Sequence, residues 1–376
     1  MEAGLPMPED WTKDSGVSAP EHNLLSMGKG HMVFDSWAPG RGLVSLGDFT
    51  LPAPLGAAKF YSDWLTSFAK DNGAEVRLNS EVIDLIVENG AVTGVKVEDK
   101  EKTYTVEAKK VILACGGMEQ NAELVEKYAP EIAGAQVIAS PGNTGDFLSL
   151  TESLNSAITG YGSVAQVGID FRHDANTPYG AVSLVGTSFW INQEGERFVN
   201  ETGHYYDMAR DLKNQTNEMA WGIADKNNPN IEALEGAVSE GLTYKADTLE
   251  ELAELIKVPA DKLTAIVEQY NADYEAGNDD SAVGRANSSM KPVLEGPFYA
   301  QPVRPILMFT LTGLKADDNC QIFNVSGETI PNLYGVGEVI FGNTFFDNYI
   351  AGGSAIQNAI MTGRIAGEHA AEEILK

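Results

Sequence analysis

The chain has 376 residues, 43% of them hydrophobic, which is enough apolar material for a large core and, by length, for about two domains. Its 54 acidic against 26 basic residues leave a net charge of −28, which argues against nucleic acid and anionic membranes, because both are bound through phosphate neutralisation by Lys and Arg. Two cysteines, Cys115 and Cys320, make no disulfide framework, and none of the five histidines stands in a metal-binding spacing, so a small-molecule substrate without a metal is expected.

Residues 1 to 55 are rich in Gly and Pro (SMGKGHM, WAPGRG, LPAPLG) and read as loops wrapped around something else. The N-terminus has neither a basic region nor an apolar one, and no apolar run approaches the ~20 residues that cross a bilayer. The expected location is cytoplasmic. From Ala57 to Lys70, Phe60, Trp64, Leu65 and Phe68 fall at helical spacing, and Asn72-Gly73 stops the helix. AEVRL, EVIDLIVE, AVTGVKVE and KTYTVEA then alternate or cluster β-branched residues between the turn signals Glu88-Asn89-Gly90 and Glu98-Asp99-Lys100, predicting an antiparallel meander. KKVILACGG ends it as an apolar strand running into two glycines. Between 118 and 300 the pattern changes: a helix from Asn121 to Tyr128, a Pro-Gly-Asn-Thr-Gly-Asp turn, short strands around Val182 to Ile191 and a strong helix from Ala260 to Ala276 suggest a separate unit. After Pro302 strands return as LTGLKAD, CQIFNV and NLYGVGEV, and a helix from Gly352 to about Leu375 closes the chain.

Two stretches carry chemistry. Val111 to Gly117 is a strand ending in Gly116-Gly117, where a backbone without side chains lets a flat or anionic ligand come close at the carboxyl edge of a sheet. A strand followed by a tight turn would read the same. The second is Asn332 to Val339, a Gly/Asn loop, and then Ala351-Gly352-Gly353-Ser354-Ala355-Ile356, the glycine-opened N-terminus of a long helix. Its N–H groups and partial positive charge suit an electron-rich ligand, and Glu338 is placed to accept hydrogen bonds from sugar hydroxyls.

The ordered blocks ILACGG, NTGD, NQEGERFVNE, PFYA, TGLKAD, IPNLYGVGEV and GGSAIQNAIMTGRIAGEHAA strongly resemble the FAD-dependent superfamily that includes fumarate reductase, urocanate reductase and 3-ketosteroid dehydrogenase. The resemblance covers roughly residues 55 to 376. It implies a fold of the α/β plus α+β class, a Rossmann-like FAD-binding domain interrupted by a cap domain, divided here as 1–118, 119–300 and 301–376. It implies FAD as cofactor, held at Ala114, Gly116, Gly117, Asp146, Gly337, Glu338, Gly352, Ser354, Ala355 and Ile356, and an external electron donor or acceptor. The FAD domain reads as incomplete. No GxGxxG opens a βαβ unit in these residues, so either the sequence is a fragment or a truncated frame or another chain supplies the missing segment, and the rival from a different class is a non-catalytic remnant that needs a partner to bind FAD.

Fumarate reductases clamp a dicarboxylate with arginines and a histidine. The corresponding positions hold Ile350, Met308 or Phe309, and Gly203-His204-Tyr205-Tyr206. These positions are more similar to the ketosteroid dehydrogenase pattern, which implies Tyr349 with the Gly353 N–H as an oxyanion hole for a developing enolate and Tyr205 as the proton carrier, with His204 or Tyr206 as alternatives. The expected substrate is an enone, steroid-like or otherwise apolar, facing the aromatics of Phe341 to Asn348 and Met308-Phe309. The rival is an unsaturated carboxylate of the fumarate, urocanate or cinnamate type. Asn200, Glu201 and Arg197 are expected to be structural.

Overall fold

The computed structural model describes residues 45–46, 49–50, 65–169, 188–203, 205–347, 349 and 354–376. Of the first expected helix, Leu65 to Asp71 is described and helical. Asn72 closes it by donating Nδ2 to the Phe68 carbonyl at 2.8 Å, and Gly73 follows at φ +91°, the left-handed exit that glycine makes without strain. The expected strand AEVRL does not form. Val76 and Leu78 are exposed and the backbone from Ala74 to Leu78 pairs with no strand among the described residues, so nothing there offsets the entropy of extension.

The meander does form: β1 (Glu81–Glu88), β2 (Ala91–Glu98) and β3 (Thr103–Glu107) pair antiparallel in that order. Asn89 and Gly90 both take positive φ, 51° and 82°, the conformation a two-residue hairpin turn demands and an Asn-Gly pair supplies. A second sheet holds β4 (Val111–Leu113) parallel to β12 (Thr329–Gly335), with β11 (Gln321–Phe323) antiparallel on the far side of β12. The meander and α7 (Ser354–Leu375) both pack on this sheet: Leu85 and Val92, Leu113, Leu333 and Tyr334, and Ala366 and Ala370 share one core.

Between these pieces the chain builds a six-stranded sheet. Its hub is β10 (Phe298–Thr310), a strand of 13 residues. Along its first half β10 pairs antiparallel with β8 (Ala220–Asp225) on one edge and β9 (Tyr244–Ala246) on the other. Along its second half it pairs with β6 (Ser163–Ile169), antiparallel, and β5 (Gln136–Val137), parallel. β7 (Phe189–Ile191) extends the sheet beyond β8. The period of two is visible in what each face buries. Phe189, Ile191, Trp221 and Ile223 meet α5 (Leu249–Ile256) and α6 (Ala260–Glu275). Trp190, Ala220, Val303 and Leu307 meet α1 (Ala122–Tyr128) and α3 (Tyr205–Lys213) on the other face, and α4 (Ile231–Ser239) packs Leu234 against Ala224 and Tyr299. Asn121 caps α1 by accepting the Leu124 N–H, and Thr248 with Glu251 forms a capping box on α5.

Three expectations are corrected in detail. LTGLKAD contributes only the two-residue strand Gly313–Leu314, NLYGVGEV stops being a strand at Gly335, and the loop after Ile340 contains a short helix at Phe341–Thr344. Of the strands expected around Val182 to Ile191, Phe189–Ile191 is present and the rest lies outside the described residues, as does most of the N-terminal loop region.

Candidate functional site

Strand β4 ends at Leu113 and leads to Gly116, which takes φ +80°. A side chain on Gly116 would run into the Asn143 amide oxygen, and one on Gly117 would run into the Glu119 carboxylate. What these glycines admit in this structure is therefore a polar cluster of the protein itself. Glu119, 1% exposed, accepts the Thr310 backbone N–H at 2.6 Å and the Thr310 hydroxyl at 2.9 Å through Oε1. Asn143 Nδ2 donates to Glu119 Oε2 and to Glu338 Oε2, both at 2.8 Å. One amide thus bridges two carboxyls, Glu119 buried and Glu338 half-buried, that lie far apart in the sequence.

The sequence placed Glu338 at a strand end. It sits instead in the turn after Gly337, whose φ of +61° and N–H bond to Thr362 Oγ1 at 3.0 Å bend the chain off β12 toward α7. Burial, followed by the negative charge of Glu119, pushes the Glu338 carboxyl up to about 8, while its hydrogen bonds from Asn143 and the Gly117 N–H pull the other way. Such a carboxyl holds its proton at neutral pH and can either give or take a hydrogen bond. This suits a sugar hydroxyl, which brings no further charge into a buried site, so on donor chemistry the residues present fit the ribose part of FAD.

A second group of residues lies at the N-terminus of α7. Tyr349 Oη accepts the Ala355 N–H at 3.1 Å, one of the helix's first donors. The Tyr349 ring packs on Phe309 (5.0 Å between centroids, 73°) and Phe345 (5.2 Å, 60°), with Met308, Phe341 and Ala355 around them. The aromatic wall expected from the sequence is thus assembled from β10 and the Phe341–Phe345 turn. Ser354, Ala355 and Ile356 are half-buried at the same helix end. Gly352, Gly353 and His204 lie outside the described residues; Tyr205 opens α3, and its side chain is likewise outside them. Ala114 is exposed beside the glycine pair. Asp146 starts α2 (Asp146–Thr151), accepts the Thr144 hydroxyl at 2.6 Å and adds its charge to burial in raising the Cys115 thiol to about 11.

Glu119, Asn143 and Thr310 were not singled out from the sequence. The only signal was Asn143 heading the NTGD block, and nothing local ties it to Glu119 or Glu338. Arg197 and Glu201 are structural as expected. Arg197 Nη2 donates to Asp280 at 2.6 Å and to Glu201 at 3.0 Å, Arg285 Nη1 donates to the Ser188 carbonyl at 2.6 Å and to Glu201 at 3.3 Å, and all four side chains are buried. Among the described residues no cluster of His, Cys, Asp and Glu could hold a metal, and no helix is long and apolar enough to cross a membrane.

Comparison with known proteins places the chain among flavoproteins. The chain is 32% identical over 324 residues to an NADH:acrylate oxidoreductase of Vibrio harveyi, spanning 83% of this chain and 32% of that protein. It is 28% identical over 410 residues to a 3-oxosteroid 1-dehydrogenase of Mycobacterium tuberculosis, spanning 94% of this chain and 68% of that protein. Its fold matches the open conformation of a flavocytochrome c3 fumarate reductase with a TM-score of 0.66 at 25% identity, over 87% of this chain and 58% of that one. The chain spans a third to about half of the length of the first curated relatives it matches. The profile of one family, described as an FAD binding domain, matches residues 58–355. With a mixed α/β flavoprotein fold and that match over most of its length, the chain belongs to the FAD binding domain family, and FAD is its cofactor.

Proposed function

We propose that this chain is part of an FAD-dependent oxidoreductase that forms or reduces a C=C bond conjugated to a carbonyl, on an enone that is steroid-like or otherwise apolar. The observation that carries the reading is the Tyr349 hydroxyl, which accepts a helix N–H while its ring is built into an aromatic wall. Bound FAD supplies or takes up the hydride. Hydride transfer at the carbon β to a carbonyl leaves negative charge on the carbonyl oxygen. A phenol that accepts from the positive end of α7 is polarised to donate its proton toward that oxygen. Gly353 N–H is the second donor, and Tyr205 or His204 carries the proton at the neighbouring carbon. The Met308, Phe309 and Phe345 side chains exclude water and favour a flat apolar substrate.

The proposed organisation is a cofactor-binding part, 1–118 and 301–376, interrupted by a cap, 119–300, with Glu338 on the ribose. A further βαβ unit, in the same protein or in another chain, cradles the pyrophosphate. The greater length of the relatives supports this, as does β4, which pairs only with β12 among the described residues and leaves Ile112 39% exposed. An external donor or acceptor exchanges electrons with the flavin. The similarity to an acrylate oxidoreductase favours a second reading, an unsaturated carboxylate as substrate.

An absorbance spectrum of the purified chain with added FAD, before and after a reductant, is the first test. The expected result is a bound flavin that bleaches and is reoxidised by an enone, with Tyr349→Phe retaining flavin but slowing the enone reaction about 100-fold, the ~3 kcal/mol worth of one oxyanion donor. Reoxidation by acrylate or cinnamate but not by enones would select the second reading. A flavin-loaded Tyr349→Phe variant with undiminished rate would refute the assignment of Tyr349.

A further inference from the structure

Beside the Tyr349 cluster, a second pair of aromatic side chains stands half in solvent. Phe346 follows Phe345, whose ring is part of the aromatic wall, and Phe346 itself is 49% exposed. Its ring meets that of Tyr161, 55% exposed, edge-on at 5.0 Å between centroids and 70°. A close backbone approach brings the two together. Ile158–Thr159 pairs antiparallel with Gly313–Leu314, and the chain then runs over the wall. A Cβ on Gly160 would strike the Leu311 carbonyl and Gly342, and one on Gly342 would strike the Thr159 carbonyl. Only glycine at both positions lets this segment lie so close to Leu311, a buried member of the wall. Three hydrogen bonds fasten it there. The Tyr161 N–H donates to the Phe346 carbonyl at 2.9 Å, the Leu311 N–H to the Gly162 carbonyl at 2.9 Å, and the Thr312 hydroxyl to the Gly160 carbonyl at 3.3 Å.

Packing of the fold gives little reason for this pair. Phe346 holds φ at +51°, in the left-handed region that a bulky side chain rarely adopts and keeps only where its surroundings enforce it. The hydrogen bond from Tyr161 to its carbonyl is one such constraint. What the fold obtains from the strained conformation is two rings left largely in water, where they bury little of their area. Apolar side chains exposed singly are ordinary on a protein surface. Here two are in contact, one of them is on a strained backbone, and both adjoin the wall through Phe345 and Gly160. Together they extend the apolar surface of the wall outward.

On the reading of Tyr349 as the group that meets the reacting carbonyl, we propose that Tyr161 and Phe346 form the outer part of the substrate site. They hold the end of the substrate remote from that carbonyl and make the chain selective for fused multi-ring enones over single-ring ones. Along the chain the pair begins where the wall ends, because successive Cα atoms, as of Phe345 and Phe346, are only about 3.8 Å apart. A single enone ring is covered by the wall alone. A ring system that continues past Phe345 runs onto the outer pair and buries the open faces of both rings, a gain in affinity that only the longer ligand can use.

The test compares two ligands of the whole chain with FAD added: progesterone, four fused rings with the enone in the first, and cyclohexenone, the enone ring alone. Equilibrium dialysis measures the first affinity and a ligand-observed NMR titration the second, neither of which needs turnover. The parent chain is expected to bind progesterone at least 100-fold more tightly. That preference, a ratio of two dissociation constants, is expected to fall at least tenfold in Phe346→Gly and several-fold in Tyr161→Ala. Glycine also relieves the left-handed backbone, so the urea midpoint of Phe346→Gly is expected to be no lower than that of the parent, which a merely structural role for the ring would not allow. Binding of cyclohexenone without binding of progesterone, or an unchanged preference in both variants, would overturn the inference and leave the enone reading standing. A lowered urea midpoint in both variants with the two ligands weakened alike would also overturn it, by assigning the pair to packing. Failure of both enones to bind the parent chain would instead overturn the enone reading, and the inference with it.

Discussion

Replacing Glu338 by glutamine tests the amide-bridged carboxyl pair through stability alone. Glu338 titrates near its ordinary value of 4.5 in the unfolded chain and at about 8 in the folded one, burial being the larger cause and the charge of Glu119 the next. Between those values the folded state holds a proton that the unfolded state has released. The stabilisation tied to that proton is complete below pH ~4.5, declines by ~1.4 kcal/mol for each pH unit above it, and is lost as the pH passes the folded value. Glutamine keeps the shape and has no proton to lose. Between pH 5 and pH 8, Glu338→Gln should gain on the order of 3 kcal/mol relative to the parent chain, the titrations of groups outside the Glu119–Glu338 pair cancelling in the difference. Urea unfolding followed by tryptophan fluorescence at four pH values across this window measures it directly. Parallel stability curves for the two proteins would refute the reasoning, because they would show that Glu338 is ionised in the folded chain despite its burial.

Removing Arg285, which is 0% exposed and ties Glu201 to the Ser188 and Ser289 carbonyls, should cost about 3–5 kcal/mol in Arg285→Leu by leaving buried charge and acceptors unmatched, read as a lowered urea midpoint. Leu263, fully buried between α6 and the sheet, should lose about 2–5 kcal/mol as Leu263→Ala by the same assay. Burial, aided by the charges of Asp146 and Asp317 respectively, raises the Cys115 and Cys320 thiols to about 11. Both should therefore resist Ellman's reagent at pH 8 in the native chain and react promptly in urea; rapid native reaction at either position would contradict its raised thiol.

Local signals were legible where local chemistry decides the structure. The meander followed from β-branched residues that alternate or cluster between turn signals such as Asn89-Gly90, and helices were expected where α1 and α6 form. The hub strand β10 was not legible, because FYAQPVRPILMFT carries Pro302 and Pro305, which ordinarily disqualify an interior strand. Each falls in a gap on one edge. Pro302 pairs with Trp221 of β8 but on the opposite edge lies between Ala300, where the β9 pairing ends, and Val303, where the β6 pairing begins. Pro305 pairs with Val167 of β6 but on the opposite edge lies between Val303, where the β8 pairing ends, and Ile306, where the β5 pairing begins. Each thus has an edge along which no ladder among the described strands needs its missing N–H. AEVRL failed in the opposite sense, having strand composition but no neighbour. At the site, Glu338 and Tyr349 could be picked out by their blocks. Glu119 could not, because its role exists only through Thr310, 191 positions away, and Asn143.

The pairing of β4 with β12 has a consequence for the order in which the molecule assembles. Lys110 Nζ meets Asn332 Oδ1 at 3.1 Å across 222 positions, and closing a loop of that length in a flexible chain costs about 5 kcal/mol beyond the fixed part of the closure entropy. A sheet of three short strands returns little against that cost. Once the residues between are folded around β10, the two ends of the interval are held by a compact body and closure becomes inexpensive. The six-stranded sheet and its helices are thus expected to form first, and the sheet beside Glu338 to be completed last, when the two ends of the sequence meet.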